Sequence, residues 1–362
     1  MKLNSSKILY LLLLLIPFSN IISNKKLTFV FLPIIFLLTS LLLFTKRKKS
    51  IKRKFLFIYI YLMQFILFLS YSYQNIVYSW NNFYFVYFFG FQVVFLMLLL
   101  ININVNIFIE MYFYRLLMLL IIIISLSIII DYFLLENGLI QSQLMYREGL
   151  YSYYTRPFGL FGQPSANSVI LISLYLFYLS NKNLKYKFQL FLIITVAIFL
   201  QNSGSGYISY LFLFFGLLYK NKLGKFFIPL FIVFIVYFIT LSDSISKINI
   251  SYLMYNYEYF LDLIQIFLDT YYVNTFDILL GGNGNYNIPI DFGPIFMIAK
   301  VGIIYYVLYI FLILYTISSS KVFYTKISLI TLLIGGLHYP IMFYPLMNIL
   351  LPIIILKEIK SE

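Results

Sequence analysis

Cysteine is absent from this chain of 362 residues, and histidine occurs once, at His338. Without cysteine there are neither disulfides nor thiolate metal ligands. A single histidine also excludes a metal site built from several histidines, so we expect no metal and no other cofactor. Charged residues make up 10% of the chain and hydrophobic residues 62%, a composition that excludes a soluble globular protein.

Long apolar runs occupy nearly the whole sequence, and many have the roughly 17–25 residues that a helix needs to cross a bilayer. Hydropathy predicts about twelve spans in one polytopic membrane domain, residues 1–362, so the expected fold class is an all-α membrane helix bundle. The predicted spans are residues 8–22, 27–45, 55–73, 83–101, 116–135, 164–180, 188–202, 207–219, 226–241, 295–317, 327–338 and 342–356. The last two are either separate spans or one segment kinked by proline.

The net charge of +14 comes from lysines and arginines that are unevenly distributed. The densest basic run, residues 46–54, lies between two apolar spans, where it indicates a cytoplasmic anchor and no nucleic-acid site. With both termini in the cytoplasm, twenty of the 26 basic residues fall on the inner side, as the positive-inside rule requires. Two long loops, about 136–163 and 242–294, then lie outside, and we expect the function there.

The second outer loop contains a predicted amphipathic helix at residues 252–271. Its apolar residues recur at i, i+3 and i+4, and a polar stripe of Glu258, Asp262, Gln265 and Asp269 lies opposite. This pattern is typical of a helix lying at the membrane interface. The stripe is either a solvated face or a sugar-binding surface.

The first outer loop carries two arginines, Arg147 and Arg156, in a polar stretch that runs from 147 to 167 and reads REGLYSYYTRPFGLFGQPSAN. A guanidinium group binds phosphate oxygens through two parallel hydrogen bonds. Together with the neighbouring aromatic residues, the arginines therefore indicate a phosphate site. The alternative is that either arginine pairs with Glu148 or meets lipid headgroups.

Three ionisable residues elsewhere are further candidates. His338 at the outer end of a predicted span is either a general base or a packed histidine bonded to a backbone carbonyl. Lys300 lies about 7–8 Å into a span, a depth at which an ionisable group is functional by default unless it snorkels to the interface. Asp291 either pairs with Lys300 or orients a sugar.

The segment Arg156-Pro-Phe-Gly159, followed by Gln163-Pro-Ser-Ala-Asn167, resembles the arginine–glycine–proline motif of the O-antigen polymerase and O-antigen ligase superfamily. Other matching features are the Ser203-Gly-Ser-Gly206 turn, Gly281-Gly282, Asp291, Val301-Gly-Ile303 and His338. Two features depart from the family pattern. Ser165 stands directly after the motif proline, where the family often has asparagine, and the serine turn lacks an arginine.

This resemblance implies glycosyl transfer on the outer face of the cytoplasmic membrane of a bacterium. The donor would be an oligosaccharide on polyprenyl pyrophosphate, and the acceptor a sugar hydroxyl of another lipid-linked repeat of O-antigen, capsule or exopolysaccharide. Membrane lipid and a chain-length regulator membrane protein are the other expected partners. The implied catalytic residues are Arg156, His338 and Arg147, and the implied substrate-binding residues are Gly159, Pro164, Ser165, Asn167, Asp291 and Lys300.

Two alternatives remain at this point. An O-antigen ligase uses the same donor with a lipid A–core acceptor, and the sequence does not separate it from a polymerase. A flippase of lipid-linked glycans belongs to a different class. A transporter should place ionisable residues near the bilayer midplane and often has repeated halves, whereas the predicted spans here are almost free of charge.

Overall fold

The computed structural model describes residues 54–77, 83–100, 112–138, 144–147, 150–153, 157, 159, 164–181, 183–201, 203–220, 258, 261–262, 264–265, 269, 275–282, 292–341 and 344–360. Its helices are α1 (Lys54–Val77), α2 (Phe83–Leu100), α3 (Tyr114–Glu136), α4 (Pro164–Leu179), α5 (Lys187–Gln201), α6 (Gly204–Lys220), α7 (Thr275–Leu280), α8 (Gly293–Ser319), α9 (Phe323–His338) and α10 (Pro345–Lys360). By length and composition, three of the described helices can cross a membrane, namely α1 from Leu56 onward, α3 and α8.

Every predicted span that falls on described residues coincides with a helix. The last two spans are separate helices, because α9 ends at His338 and α10 begins at Pro345. A proline is tolerated at the first position of a helix, where its missing N–H has no intrahelical partner. The predicted spans 8–22, 27–45 and 226–241 lie outside the described residues.

Two short strands interrupt the first long loop. Strands β1 (Leu144–Arg147) and β2 (Leu150–Tyr153) pair antiparallel, with Arg147 opposite Leu150. No strand is predicted in this loop, since a strand of four residues is too short to show the two-residue alternation clearly. The hairpin places the backbone of Arg147 where the two strands connect.

Part of the second long loop is helical. Six residues of the stretch 252–271 are described, and all six are in helix. The polar ones are exposed, and Gln265 donates to Asp269 Oδ1 at 2.9 Å. This exposure agrees with a solvated polar face.

Helix α4 forms the centre of the bundle. All side chains from Ala166 to Leu179 are buried, and α3, α5, α6 and α9 surround the helix. A helix that is apolar all round has no solvent face and must be enclosed on every side. Whatever lies at the start of α4 therefore lies over the middle of the bundle.

Helices α4 and α9 run antiparallel in a definite register. Ser328 Oγ donates to the carbonyl oxygen of Ser173 at 2.8 Å, and a Cβ on Gly335 would lie 2.5 Å from Val169 Cγ1. One further turn along the same register brings His338 level with the first residues of α4. We call this end of the bundle, where α3 and α9 end and α4 begins, the histidine end.

Helix α8 is broken at Gly302, whose φ of 81° and ψ of 156° are not helical. A Cβ at this position would lie 2.6 Å from backbone atoms of Leu280, so the end of α7 crosses α8 at the break. Gln74 of α1 joins the two segments, because its Nε2 is 3.1 Å from the carbonyl oxygens of both Leu280 and Lys300. The Gln74 amide thereby satisfies the carbonyl of Lys300, which the break leaves without an intrahelical partner. It also satisfies the carbonyl of Leu280 at the end of α7, where the last carbonyls of a helix have no intrahelical partner.

A buried polar triad connects three helices in the interior. Tyr305 of α8 donates to Gln92 Oε1 of α2 at 3.0 Å, and Gln92 Nε2 lies 3.1 Å from Asn348 Oδ1 of α10. The side chains of Gln92, Tyr305 and Asn348 are fully buried. Hydrogen bonds between such side chains hold helices together where no water competes.

The end of the bundle opposite the histidine end contains a buried carboxylate. Glu358 of α10 is 2% exposed and accepts hydrogen bonds from Ser320 Oγ at 2.6 Å and Thr325 Oγ1 at 3.3 Å. Lys357 Nζ lies 3.6 Å from its Oε1. A buried charge requires such partners, and these contacts fix the connection between α8 and α9 to α10.

Candidate active site at the histidine end

Two residues of the Arg-Pro-Phe-Gly turn are described, Pro157 and Gly159, and both pack into the bundle. Pro157 is buried. Gly159 has a φ of +60°, and a Cβ there would lie 2.8 Å from Ile128 Cγ1 of α3 and 3.2 Å from Asn167 Nδ2 of α4. Glycine is required because its backbone is left-handed and because α3 and α4 leave no room for a side chain.

A carboxylate of α3 holds the same turn. The backbone N–H of Gly159 donates to Asp131 Oδ2 at 2.8 Å. Asp131 is not among the predicted site residues, although it is the one acid within the predicted span 116–135, and an acid inside a span is a signal of function. The hydrogen bond attaches the turn to α3, and the contact with Asn167 attaches it to α4.

The turn contacts α3 before the helix ends, about two turns from its last residue. Ile128, its neighbour in α3, precedes the last helical residue, Glu136, by eight positions, which corresponds to about 12 Å along the axis. Helix α4 has only 16 residues and is therefore about 24 Å long. The candidate site thus lies over the start of α4, with the last turns of α3 along one side.

The start of α4 contacts the serine turn. Ser165 Oγ and Ser203 Oγ are 3.0 Å apart, and Ser203 Oγ accepts the backbone N–H of Gly206 at 3.2 Å. Ser203 is therefore the N-cap of α6 and satisfies one of its first amides. This capping role gives the serine turn a structural function, and it places the turn beside the predicted substrate-binding residue Ser165.

Two other predicted substrate-binding residues belong to the same group. Pro164 is the first residue of α4 and is buried. Asn167 is fully buried, and its amide lies against Gly159. The structure thus places Asn167 against Gly159, and Pro164 and Ser165 lie in the first turn of the same helix.

His338 is the last residue of α9. Its ring lies 4.3 Å, centroid to centroid, from the ring of Tyr339, with 58° between the ring planes. The imidazole is only partly buried, and the α4–α9 register puts it level with the first turn of α4. His338 thus lies at the end of a helix, and its role in the site stays a prediction.

Lys300 lies in the first segment of α8, about two turns from the start of the helix. The first residue of α8, Gly293, contacts the backbone of Gly336 and Tyr339, so α8 begins beside the end of α9. Lys300 Nζ lies 5.6 Å from the centroid of the Phe296 ring, one turn nearer to that beginning. The ammonium group therefore points back along the helix toward its start, which is the direction of a snorkelling lysine.

The side chains of three predicted site residues lie outside the described part of the structure. Arg156 and Asp291 lie outside the described residues, and Arg147 is described only by its backbone in β1. Among the residues that are described, no group of three histidine, aspartate or glutamate side chains is arranged to hold a metal ion. No family model, curated protein or solved structure matches this chain.

Proposed function

We propose that this protein is a repeat-unit polymerase of a bacterial surface polysaccharide. It transfers a glycan from polyprenyl pyrophosphate to a sugar hydroxyl of a second lipid-linked repeat, on the outer face of the cytoplasmic membrane. In this proposal the chain has about twelve transmembrane helices, both termini are cytoplasmic, and the histidine end faces outward. The proposal rests on the sequence resemblance together with the arrangement at that end.

One observation carries the proposal. The start of α4, which follows the Gly159 turn closely in the chain, contacts the serine turn at Ser203, and the α4–α9 register puts the end of α9 with His338 at the same end of the bundle. These are the segments on which the motif resemblance falls.

The environment suits a pyrophosphate. The N-terminus of α4 carries partial positive charge from the helix dipole and favours a nearby anion, and Arg156 immediately precedes Pro157 in the chain. Helix α4 is about 24 Å long, whereas the hydrocarbon layer is about 30 Å thick. In this proposal the lipid phosphate therefore reaches the start of α4 from the headgroup level.

The chemistry assigns one task to each group. As the bond between the anomeric carbon and the pyrophosphate oxygen breaks, the fixed charge of Arg156, with Arg147 as a second cation, stabilises the departing phosphate. The acceptor hydroxyl oxygen bonds to the anomeric carbon, and its proton passes to His338. A well-placed base contributes roughly 10²–10⁴-fold to such a rate. Lys300 and Asp291 contact the substrate from the α8 side.

Two other functions make different predictions. An O-antigen ligase would use the same donor site with a different acceptor. A flippase would need ionisable groups near the midplane, whereas the buried triad of Gln92, Tyr305 and Asn348 is neutral and hydrogen-bonded.

Glycan analysis of a deletion strain tests the proposal. A polymerase predicts single repeats on the acceptor and no long chains. Long lipid-linked chains without transfer to the core would instead indicate a ligase, and single lipid-linked repeats retained on the inner face would indicate a flippase. Complementation with Arg156→Ala should fail to restore chain length. Arg115→Ala should restore it, because Arg115 is an exposed arginine at the opposite end of α3.

A further inference from the structure

We propose that the first turns of α4 and α6 together bind a phosphate group, and that the side-chain amide of Gln201 is its innermost hydrogen-bond donor. Gln201 is the last residue of α5 and is not among the predicted site residues. The presence of this site depends only on contacts among the described residues. The source of the phosphate, a polyprenyl-linked substrate, rests on the proposed function.

The Gln201 amide is buried with one of its two ends unpaired. The side chain is fully buried, and its Oε1 accepts a hydrogen bond from Ser168 Oγ at 2.8 Å. Its Nε2 has no hydrogen-bond acceptor among the described residues. An unpaired buried donor is costly and calls for an explanation. A ligand oxygen that accepts from Nε2 supplies one.

Gly206 brings the start of α6 against this amide. A Cβ on Gly206 would lie 2.7 Å from Ser168 Oγ and 3.5 Å from Ser203 Cβ. The first turn of α6 therefore rests on α4 beside the hydrogen bond between Ser168 and Gln201. The amide is thereby held next to the first turns of both helices.

Three serine hydroxyls lead from this place toward the surface. Ser203 Oγ lies 3.0 Å from Ser165 Oγ and 3.2 Å from Ser205 Oγ. These two contacts use two of the three hydroxyl hydrogens, so one hydrogen remains for a ligand. Ser165 and Ser205 are half-buried, whereas Ser203 is buried. A ligand therefore approaches the cluster from the side of Ser165 and Ser205.

Two helix N-termini meet at these hydroxyls. Ser165 is the second residue of α4 and Ser203 is the N-cap of α6. Each helix N-terminus carries roughly half a positive elementary charge, and both therefore favour an anion at the same place. A phosphate satisfies this field and also accepts hydrogen bonds from the amide and the hydroxyls, whereas a neutral sugar hydroxyl would leave the field unused.

A binding role and a packing role predict opposite effects on stability. The double variant Gln201→Leu, Ser168→Ala removes both hydrogen-bond partners together with the unpaired N–H groups. Replacing both partners by apolar groups is nearly neutral or stabilising, so the variant without ligand should unfold at the same temperature as the natural protein or higher. Its Kd for the phosphate should nevertheless rise at least about tenfold, because a hydrogen bond to a charged group is lost.

Thermal unfolding of the full chain in a neutral, phosphate-free detergent measures both properties, since a ligand raises Tm according to its concentration and Kd. Farnesyl phosphate is the probe, and it should raise the Tm of the natural protein. Farnesol has the same chain without the phosphate and should not. Inorganic phosphate distinguishes the source, because an equal increase with inorganic phosphate would show a site for free phosphate and overturn the lipid assignment.

Two further variants make the test specific. Gln92→Leu replaces another fully buried glutamine and is the matched control, which should lower Tm but keep the Kd for farnesyl phosphate. Gln201→Glu retains an oxygen acceptor for Ser168 but presents a carboxylate in place of the donor, so it should abolish the increase in Tm.

Three results would contradict the proposal. The phosphate site is wrong if farnesyl phosphate leaves the Tm of the natural protein unchanged, if the double variant binds it as tightly as the natural protein, or if that variant without ligand is destabilised as Gln92→Leu is. Glycan transfer in proteoliposomes separates this outcome from the proposed function. Transfer without farnesyl phosphate binding would overturn the site alone, whereas binding without transfer would overturn the proposed function and leave the phosphate site in place.

Discussion

Ser165 Oγ and Ser203 Oγ lie 3.0 Å apart, although 38 positions separate the two serines in the chain. The contact joins the first turn of the central helix α4 to the N-cap of α6. Any movement of the serine turn is thereby transmitted to the start of α4, where the proposed substrate site lies.

Replacing Ser203 with alanine should destabilise the protein. The buried N–H of Gly206 loses its acceptor, and loss of a serine N-cap typically costs about 0.5–2 kcal/mol. Thermal unfolding of the detergent-solubilised protein measures this change. Ser205→Ala is the control, because its half-buried hydroxyl contacts Ser203 without capping the helix, and it should cost less than about 0.5 kcal/mol. Equal effects of the two variants would contradict the capping role.

Arg156→Lys should shorten the polysaccharide nearly as much as Arg156→Ala. Lysine retains the positive charge but lacks the planar fork that binds two phosphate oxygens at once. Chain length in a complemented deletion strain, resolved by gel electrophoresis, measures the effect. Arg115→Lys is the matched control and should restore normal chains. A fully active Arg156→Lys variant would show that charge alone is sufficient.

His338→Gln should reduce transfer by roughly 10²–10⁴-fold, the usual contribution of a general base. Glutamine retains hydrogen-bonding groups but does not accept the acceptor proton at neutral pH. Transfer rates in proteoliposomes give the comparison, with Tyr339→Phe as the control, since it preserves the ring that packs on His338. Full activity of the glutamine variant would assign His338 to packing alone.

Gly302→Ala should be strongly destabilising. The backbone at φ 81° and ψ 156° belongs to a region that is essentially restricted to glycine and costs other residues about 1–3 kcal/mol. The added methyl group would also meet the backbone of Leu280. Gly204→Ala is the control, because nothing lies within 4 Å of the added methyl group there. Stability in mixed micelles measures both, and an unchanged Gly302→Ala variant would show that the break is not required.

The Gln92 triad should behave as a coupled unit. A double-mutant cycle of Gln92→Leu and Asn348→Leu should give a coupling free energy on the order of 1 kcal/mol, within the range for hydrogen bonds between membrane helices. Unfolding in mixed micelles supplies the four values. Ser125→Ala is a useful reference, because the hydroxyl of Ser125 is buried and has no hydrogen-bond partner among the described residues, so its loss should be neutral. Additive effects at Gln92 and Asn348 would contradict the coupling.

The helices were largely predictable from the sequence. In an apolar chain the length of each hydrophobic run determines the helix, so the predicted span 164–180 matches α4 at Pro164–Leu179 and the span 83–101 matches α2 at Phe83–Leu100. Sequence also located the serine turn, since Ser203 directly precedes a glycine-rich start to an apolar run. These features are local and depend on neighbouring residues.

The remaining features depend on contacts between distant segments. Asp131 meets a backbone N–H 28 positions away, and a backbone group has no sequence signature. The break at Gly302 exists because the end of α7 crosses α8 there, whereas a single glycine in an apolar run is ordinarily compatible with a continuous helix. The β1–β2 hairpin was hidden because four-residue strands give too few alternations.

The two glycines that begin and end the first segment of α8 determine its length. Gly293 contacts the backbone of Gly336, and Gly302 contacts the backbone of Leu280. Their separation of nine residues corresponds to about two and a half helical turns, so the two contacts fall on opposite sides of the segment. Inserting one residue between them would rotate one contact by about 100° relative to the other and direct Lys300 elsewhere. The number of residues between the two glycines is therefore constrained more tightly than the identity of most side chains in between.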